Sequence, residues 1–305
     1  MSHGHAHGTH GTATAAHRGR LAAVLALTLT VMTVEVVGGV LSGSFALVAD
    51  AGHMLTDAAG LAVALGASVL AARPATSLRT FGWQRAEVLA ALVNGLVVAV
   101  VGVLVLIGGV RRILRPEELE PGLMLGVALL GLSANAVGLV LLRRGSHESL
   151  NVRGAYLEVL GDALGSVAVV VAALVVMAAG YARADGIASV VIAVMILPRA
   201  VMLLRDVVAV LLEGTPPGVD LDVVRAHMGR VPGVVGVHDL HAWTITSGVP
   251  VLSAHVVVAD DELDRAGTSR VLGQLRTCLS GHFDVDHCTF QLEPASHAAE
   301  AGLHP

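Results

Sequence analysis

The sequence predicts an α-helical polytopic membrane protein, six transmembrane helices followed by a C-terminal cytoplasmic α+β domain. Three observations carry this reading. Of the 305 residues, 54% are hydrophobic, and the mean hydropathy is +0.75, values foreign to an ordinary soluble enzyme. Six apolar segments, each long enough to cross a bilayer as a helix, fill the first two thirds of the chain. Beyond Glu213-Gly214-Thr215-Pro216-Pro217 the composition becomes that of a soluble domain.

Taken in order, residues 1–20 (MSHGHAHGTHGTATAAHRGR) are rich in Gly, Ala, Thr and His and cannot build a core, so a disordered tail is expected. Within it His3, His5, His7 and His10 read as weak, multi-site metal binding, or else as an inert tail or tag. No cleavable signal is evident. The transmembrane region is expected over 21–212, with spans at 21–41, 45–72, 86–110, 123–142, 155–179 and 185–212. Ser42-Gly43-Ser44 allows only a tight hairpin between the first two. Pro198-Arg199 interrupts the sixth, which implies a kink or the inner interface, with Arg199 and Arg205 snorkelling.

Arginine placement sets the orientation. Arg18 and Arg20, then Arg73, Arg79 and Arg85, then Arg143, Arg144 and Arg153 fall on the side of the soluble domain. The opposite side holds Arg111, Arg112 and Arg115, followed by Glu117, Glu118 and Glu120. The balance places both termini in the cytoplasm, and a bacterial inner (plasma) membrane is the expected location.

The second span carries Asp50, His53 and Asp57, which share one face at 3.6 residues per turn. Ionisable groups are costly in hydrocarbon, so this face should look into the protein or at a water-filled path. His53 and Asp57, one turn apart, can share a metal ion. The fifth span repeats the pattern with Glu158 and Asp162, while Gly154, Gly161 and Gly165 admit a close helix neighbour. Two helices with two ligands each can assemble the four-coordinate site that zinc prefers. Asp50 reads as a gate or as support for the ligands, or as a helix N-terminal charge near the membrane edge. Glu35, a lone carboxyl in the first span, demands a functional reason. Asn94 and Asn135 either line a path or join helices by hydrogen bonds.

In the soluble part, residues 213–294, the order α-β-β-α-β is expected: a helix at 220–229, strands at 234–244 and 251–258 joined through Ser247-Gly248, a helix at 260–280 capped by Asp260 or Asp261, and a strand at 287–293. That order suggests a small open sheet with helices on one face, followed by a tail at 295–305. Its candidate metal ligands are His238, His241, His255, His282, His287 and Glu293. Cys288 reads as a buried structural thiol or a soft ligand. Only two cysteines are present, which is no disulfide framework. The formal charge of -5 argues against a nucleic-acid partner. An intramembrane metalloprotease would need H-E-x-x-H on one helix, and no such motif occurs.

Assembled, ADAGHMLTD (49–57), FGWQRAEVLAALVNG (81–95), NVRGAYLEVLGDALGS (151–166), LLEGTP (211–216) and GVHDLHAWTITSG (236–248) resemble the cation diffusion facilitators, a family of metal/proton exchangers. The resemblance spans nearly the whole chain. It implies a homodimer, an intramembrane transport site, and a metallochaperone-like cytoplasmic domain that binds metal. By position the transport ligands would be His53, Asp57, Glu158 and Asp162. Zinc transporters of this kind carry His where this chain has Glu158. By the same resemblance His238, His255 and Glu293 match a cytoplasmic site, with His241 and His287 joining or packing nearby.

The expected activity is export of a divalent cation, Zn²⁺ foremost, from the cytoplasm in exchange for protons. The third carboxylate favours harder ions, so Mn²⁺, Co²⁺, Fe²⁺ or Cd²⁺ stand as alternative cargo. A non-transporting membrane metal sensor is the alternative from another class. Three crowded carboxylates resist joint ionisation, so an empty site retains a proton that metal displaces. Zn²⁺ bound in the soluble domain would have a regulatory role.

Overall fold

The computed structural model describes residues 13–143, 150–246, 248–282 and 287–296. The tail histidines His3, His5, His7 and His10, Arg144 and Ser247 lie outside the described residues, as does the side chain of His282.

Six helices are long and apolar enough to cross a membrane. They are α1 (Ala13–Ser42), α2 (Phe45–Ala71), α3 (Ala86–Leu114), α4 (Pro121–Arg143), α5 (Leu150–Ala179) and α6 (Arg183–Leu211). The helices overrun the apolar segments at their ends. α1 reaches back into an Ala-rich stretch of good helix formers. α3 ends with Arg111 and Arg112 in its last turn, where the helix dipole favours cations. α4 starts on Pro121, whose fixed φ suits the first helical position. α6 runs on through Pro198, so that residue does not end the span.

Residues 13–62 and 94–202 belong to one compact unit. Its core joins Leu47 of α2, Met124 and Ala128 of α4, Val169 and Ala173 of α5, and Ile192, Ala193 and Ile196 of α6. Large aliphatic side chains such as Val40 and Val140 face outward instead, as a lipid-facing surface requires. The hairpin between α1 and α2 turns at Gly43, with φ of 70°. A left-handed backbone of this kind is inexpensive only for glycine. Ser44 then caps α2, its Oγ accepting from the Leu47 N–H at 3.2 Å.

The second unit comprises residues 63–93 and those from 203 onward. Its soluble part holds α7 (Leu221–Met228), β1 (Val234–Thr244), β2 (Pro250–Val258), a 3₁₀ turn (Asp260–Glu262), α8 (Arg265–His282) and β3 (His287–Pro294). The sheet order is β1-β2-β3, antiparallel between β1 and β2 and parallel between β2 and β3. Alternate residues Leu252, Ala254, Val256 and Val258 of β2 bury against Val224 and Met228 of α7 and Val271, Leu275 and Leu279 of α8. The half-buried Cys288 packs on the same core. Asp220 caps α7 by accepting from the Asp222 and Val223 N–H groups. α8 starts later than the sequence suggests: Asp260 and Asp261 sit in the 3₁₀ turn, and Asp264 Oδ1 accepts from the Gly267 N–H at 2.6 Å.

Candidate metal sites

α2 and α5 bring His53, Asp57 and Asp162 together, with one ligand atom of each within 4.8 Å of the others. His53 Nε2 lies 3.6 Å from Asp57 Oδ2 and 4.0 Å from Asp162 Oδ1. Ligands of one tetrahedral ion with bonds near 2.1 Å stand about 3.4 Å apart, so a small inward shift closes this triad on a metal. His53 and Asp162 are buried and Asp57 is half-buried. His53 Nδ1 and Asp162 Oδ1 are buried without a hydrogen-bond partner, an arrangement that calls for a ligand. Thr56 Oγ1 donates to the His53 carbonyl at 2.7 Å, one turn away on the same helix.

Glu158 does not stand in this triad. It is exposed, one turn before Asp162 on α5, and its charge acts on Asp162. A cavity of about 340 Å³ opens beside the triad, lined by Asp50, His53, Gly161, Gly165 and Arg199.

Behind the triad runs a buried polar chain. Asn135 Nδ2 donates to Ser166 Oγ at 3.4 Å, and Ser166 Oγ donates to Asp50 Oδ2 at 3.4 Å. Glu35, only 1% exposed, has both carboxyl oxygens without a hydrogen-bond partner, as has Asp50 Oδ1. Gly131 and Gly165 make the room: a Cβ there would stand 2.4 Å from Glu35 Oε1 and 2.5 Å from Asp50 Oδ1. Asn135 therefore joins helices in this chain. Asn94 packs against Gly60, where a Cβ would fall 2.4 Å from its Oδ1.

A further buried carboxylate, Asp185 of α6, accepts from Ser44 Oγ at 2.6 Å, the Phe45 N–H at 3.0 Å and the Ala46 N–H at 3.1 Å. Arg112 Nη1 lies 3.9 Å from it. Sequence reasoning passed over this residue. Its only signal was an acidic residue at the start of an apolar span.

In the soluble domain His238, His255 and Glu293 form a second cluster. Register explains it. His238 on β1 faces His255 on β2. On β3, Gln291 stands beside His255 and Glu293 follows two residues later, on the same face. His238 Nε2 is 3.0 Å from Glu293 Oε2, and His255 Nδ1 is 2.9 Å from Glu293 Oε1. The strand pairing shifts after His238, and Asp239 takes φ of 47°, a conformation that Asp tolerates better than most residues. The shift brings Asp239 Oδ2 to 3.0 Å from His238 Nδ1 and 3.8 Å from His255 Nδ1. Asp239 was not foreseen, because nothing in the sequence announces the irregularity.

Burial disfavours a charged His238 ring, but hydrogen bonds to Asp239 and Glu293 outweigh it and hold its pKa above the usual histidine value. Burial likewise opposes ionisation of Glu293, and hydrogen bonds from His238 and Gln291 overcome it and hold its pKa below the usual glutamate value. His241 lies beyond the irregularity, opposite Ser253, exposed. It lines a separate hollow with Trp243. His287 is exposed and packs edge-on to Phe81, ring centroids 6.2 Å apart. Neither belongs to the cluster.

A helical bundle with imidazole and carboxylates facing inward, followed by a small α+β domain with its own metal-ligand cluster, defines an integral membrane protein that handles metal cations. Known families agree. Residues 21–212 match the cation efflux transmembrane domain, and residues 216–295 match the cation efflux protein cytoplasmic domain. The metal cation efflux system protein CzcD of Cupriavidus metallidurans is 42% identical, over 100% of this chain and 94% of its own length. The zinc transporter ZitB of Escherichia coli is 41% identical, over 96% of this chain and 93% of its own. The cadmium, cobalt and zinc/H(+)-K(+) antiporter of Bacillus velezensis is 37% identical, over 87% of this chain and 85% of its own. The chain belongs to the cation efflux family, the cation diffusion facilitators. It is an integral membrane protein of a family whose similar members are named as metal efflux proteins and transporters.

Proposed function

We propose that this protein exports divalent metal from the cytoplasm, Zn²⁺ as its main cargo, in exchange for protons. The observation that carries the reading is the meeting of His53, Asp57 and Asp162, from two separate spans, around one buried point. The similarity to a protein named a zinc transporter and to one named a zinc/H(+)-K(+) antiporter supports both cargo and coupling. Facing the cytoplasm, the triad and Glu158 release protons and take up the ion. The helices then repack so that the site opens to the other side, where protons compete the metal off. Two packings of one bundle suffice for alternating access. Both termini lie in the cytoplasm of a bacterial inner membrane, and the working unit is a homodimer. His238, His255 and Glu293 sense cytoplasmic metal.

Everted vesicles containing the protein should accumulate Zn²⁺ when their interior is acidic and stop when the gradient is dissipated. Asp57→Ala and Asp162→Ala should abolish uptake, and undiminished flux would refute the site. A second reading, with Mn²⁺, Co²⁺ or Fe²⁺ as main cargo, draws on Glu158, since a third carboxylate moves preference toward oxygen-loving ions; Cd²⁺, a softer ion, draws instead on the similarity to a protein named a cadmium, cobalt and zinc/H(+)-K(+) antiporter. The same vesicles, challenged with each ion in turn, decide between them.

A further inference from the structure

The triad with Glu158 presents three carboxylates and one neutral imidazole to a divalent ion. That is three negative charges against two positive ones. The surplus is costly in a membrane interior.

Arg199 supplies the missing charge. It lies on α6 beside Pro198, between Ile196 and Val201, in an otherwise apolar stretch. It lines the same cavity as Asp50 and His53. Gly161, between Glu158 and Asp162 on α5, leaves space for the guanidinium: a Cβ there would stand 3.7 Å from Arg199 Nη1. The arginine charge acts on His53, Asp57, Glu158 and Asp162 alike. Arginine keeps its proton in any protein environment, so this charge is fixed.

We propose that Arg199 is a built-in counter-cation of the transport site, which brings the summed charge of His53, Asp57, Glu158 and Asp162 from -3 to -2 and so matches these four groups to a divalent ion. The inference rests on the proposed transport site and adds to it a residue that determines specificity without ligating the metal.

The test is charge compensation, read as Zn²⁺ uptake kinetics of the full-length protein in proteoliposomes at one pH. Arg199→Leu leaves the site at -3, and the apparent KM should fall about tenfold with a lower maximal rate, because release is slowed. Glu158→Gln leaves it at -1, and KM should rise about tenfold. The double variant restores -2, and KM should return to within about threefold of the parent. Arg199→Lys should rescue the leucine variant, and Arg199→Gln serves where leucine prevents insertion. If Arg199→Leu leaves KM unchanged or raises it, or if the double variant is no better than Glu158→Gln, the counter-cation is refuted. Asp162→Ala separates the two levels of the argument: uptake that survives it overturns the transport site itself, whereas its loss together with indifference to Arg199 overturns this inference alone.

Discussion

His53 Nε2 lies 4.0 Å from Asp162 Oδ1, although the two belong to different spans. Neither helix holds three ligands by itself, so the distance between α2 and α5 sets the grip on any shared ion. Removing Asp162 leaves His53 and Asp57 alone on α2. Asp162→Ala is expected to weaken zinc binding at this site by about 100-fold or more, since even groups that only orient metal ligands are worth 10- to 100-fold. Equilibrium binding to the purified protein in detergent, with His238 also replaced by Ala to silence the soluble cluster, measures this. Unchanged affinity would exclude Asp162 as a ligand.

Asp185 fixes the far end of the same helix. Its carboxylate holds three donors at the start of α2 and faces Arg112. Asp185→Ala removes a helix cap and leaves a largely buried guanidinium with one partner fewer. The expected cost is about 2–4 kcal/mol. Thermal unfolding in detergent should show a melting temperature lowered by several degrees. Asp185→Asn should lose less, because its amide oxygen can still accept from the Phe45 and Ala46 N–H groups.

Much of this architecture was readable from the chain. Apolar length located six spans, and the 3.6-residue period put His53 and Asp57 on one face, where they stand 3.6 Å apart. Alternation was only partial in β2, and its burial is likewise not strictly period-2, since Val251 and Val257 are buried along with Leu252, Ala254, Val256 and Val258. What escaped depends on contacts between distant segments. Asp185 caps a helix about 140 residues earlier, and Asp239 reaches two histidines only because the strand slips. Arg199 suggested a side chain reaching for the interface, but it lines the cavity beside His53. Glu158 and Asp162 share spacing with His53 and Asp57, yet only Asp162 enters the triad. Helix periodicity gives the face and not the depth.

The buried polar chain depends on glycine. At Gly165 an added Cβ would stand 2.5 Å from Asp50 Oδ1 and 3.2 Å from its Cγ. Asp50 is 1% exposed and its Oδ2 accepts from Ser166 Oγ, so a shift into the neighbouring cavity would break that hydrogen bond. Gly165→Ala is expected to cost about 1–3 kcal/mol, the usual range for overpacking, and to slow zinc uptake by displacing the Asp50 carboxylate. Pairing it with Asp50→Ala should recover the lost stability without recovering transport. Equal melting temperatures for parent and Gly165→Ala protein would show that the contact is not constrained.

The soluble cluster should respond to pH in a direction set by its hydrogen bonds. His238 has a raised pKa, so the stabilisation it draws from Asp239 and Glu293 is complete below its unfolded value of about 6.5 and disappears as pH rises through the higher folded value. Glu293 has a lowered pKa, so its contribution is present above the ordinary glutamate value of about 4.3 and is lost as pH falls through the folded one. The metal-free cluster is therefore held best between those limits, where the ring is charged and the carboxylate ionised. Metal needs the ring without its proton. Binding at pH 7 should release a proton from His238, and apparent affinity should rise by up to about tenfold per pH unit until the ring is neutral. Calorimetry of the full-length Asp162→Ala protein, in two buffers of different ionisation enthalpy, counts that proton. His238→Ala should remove both the release and the pH dependence. Affinity that is flat from pH 6 to pH 8 would mean that the ion does not bind through His238, and the cluster would then be an ion-paired strut of the sheet.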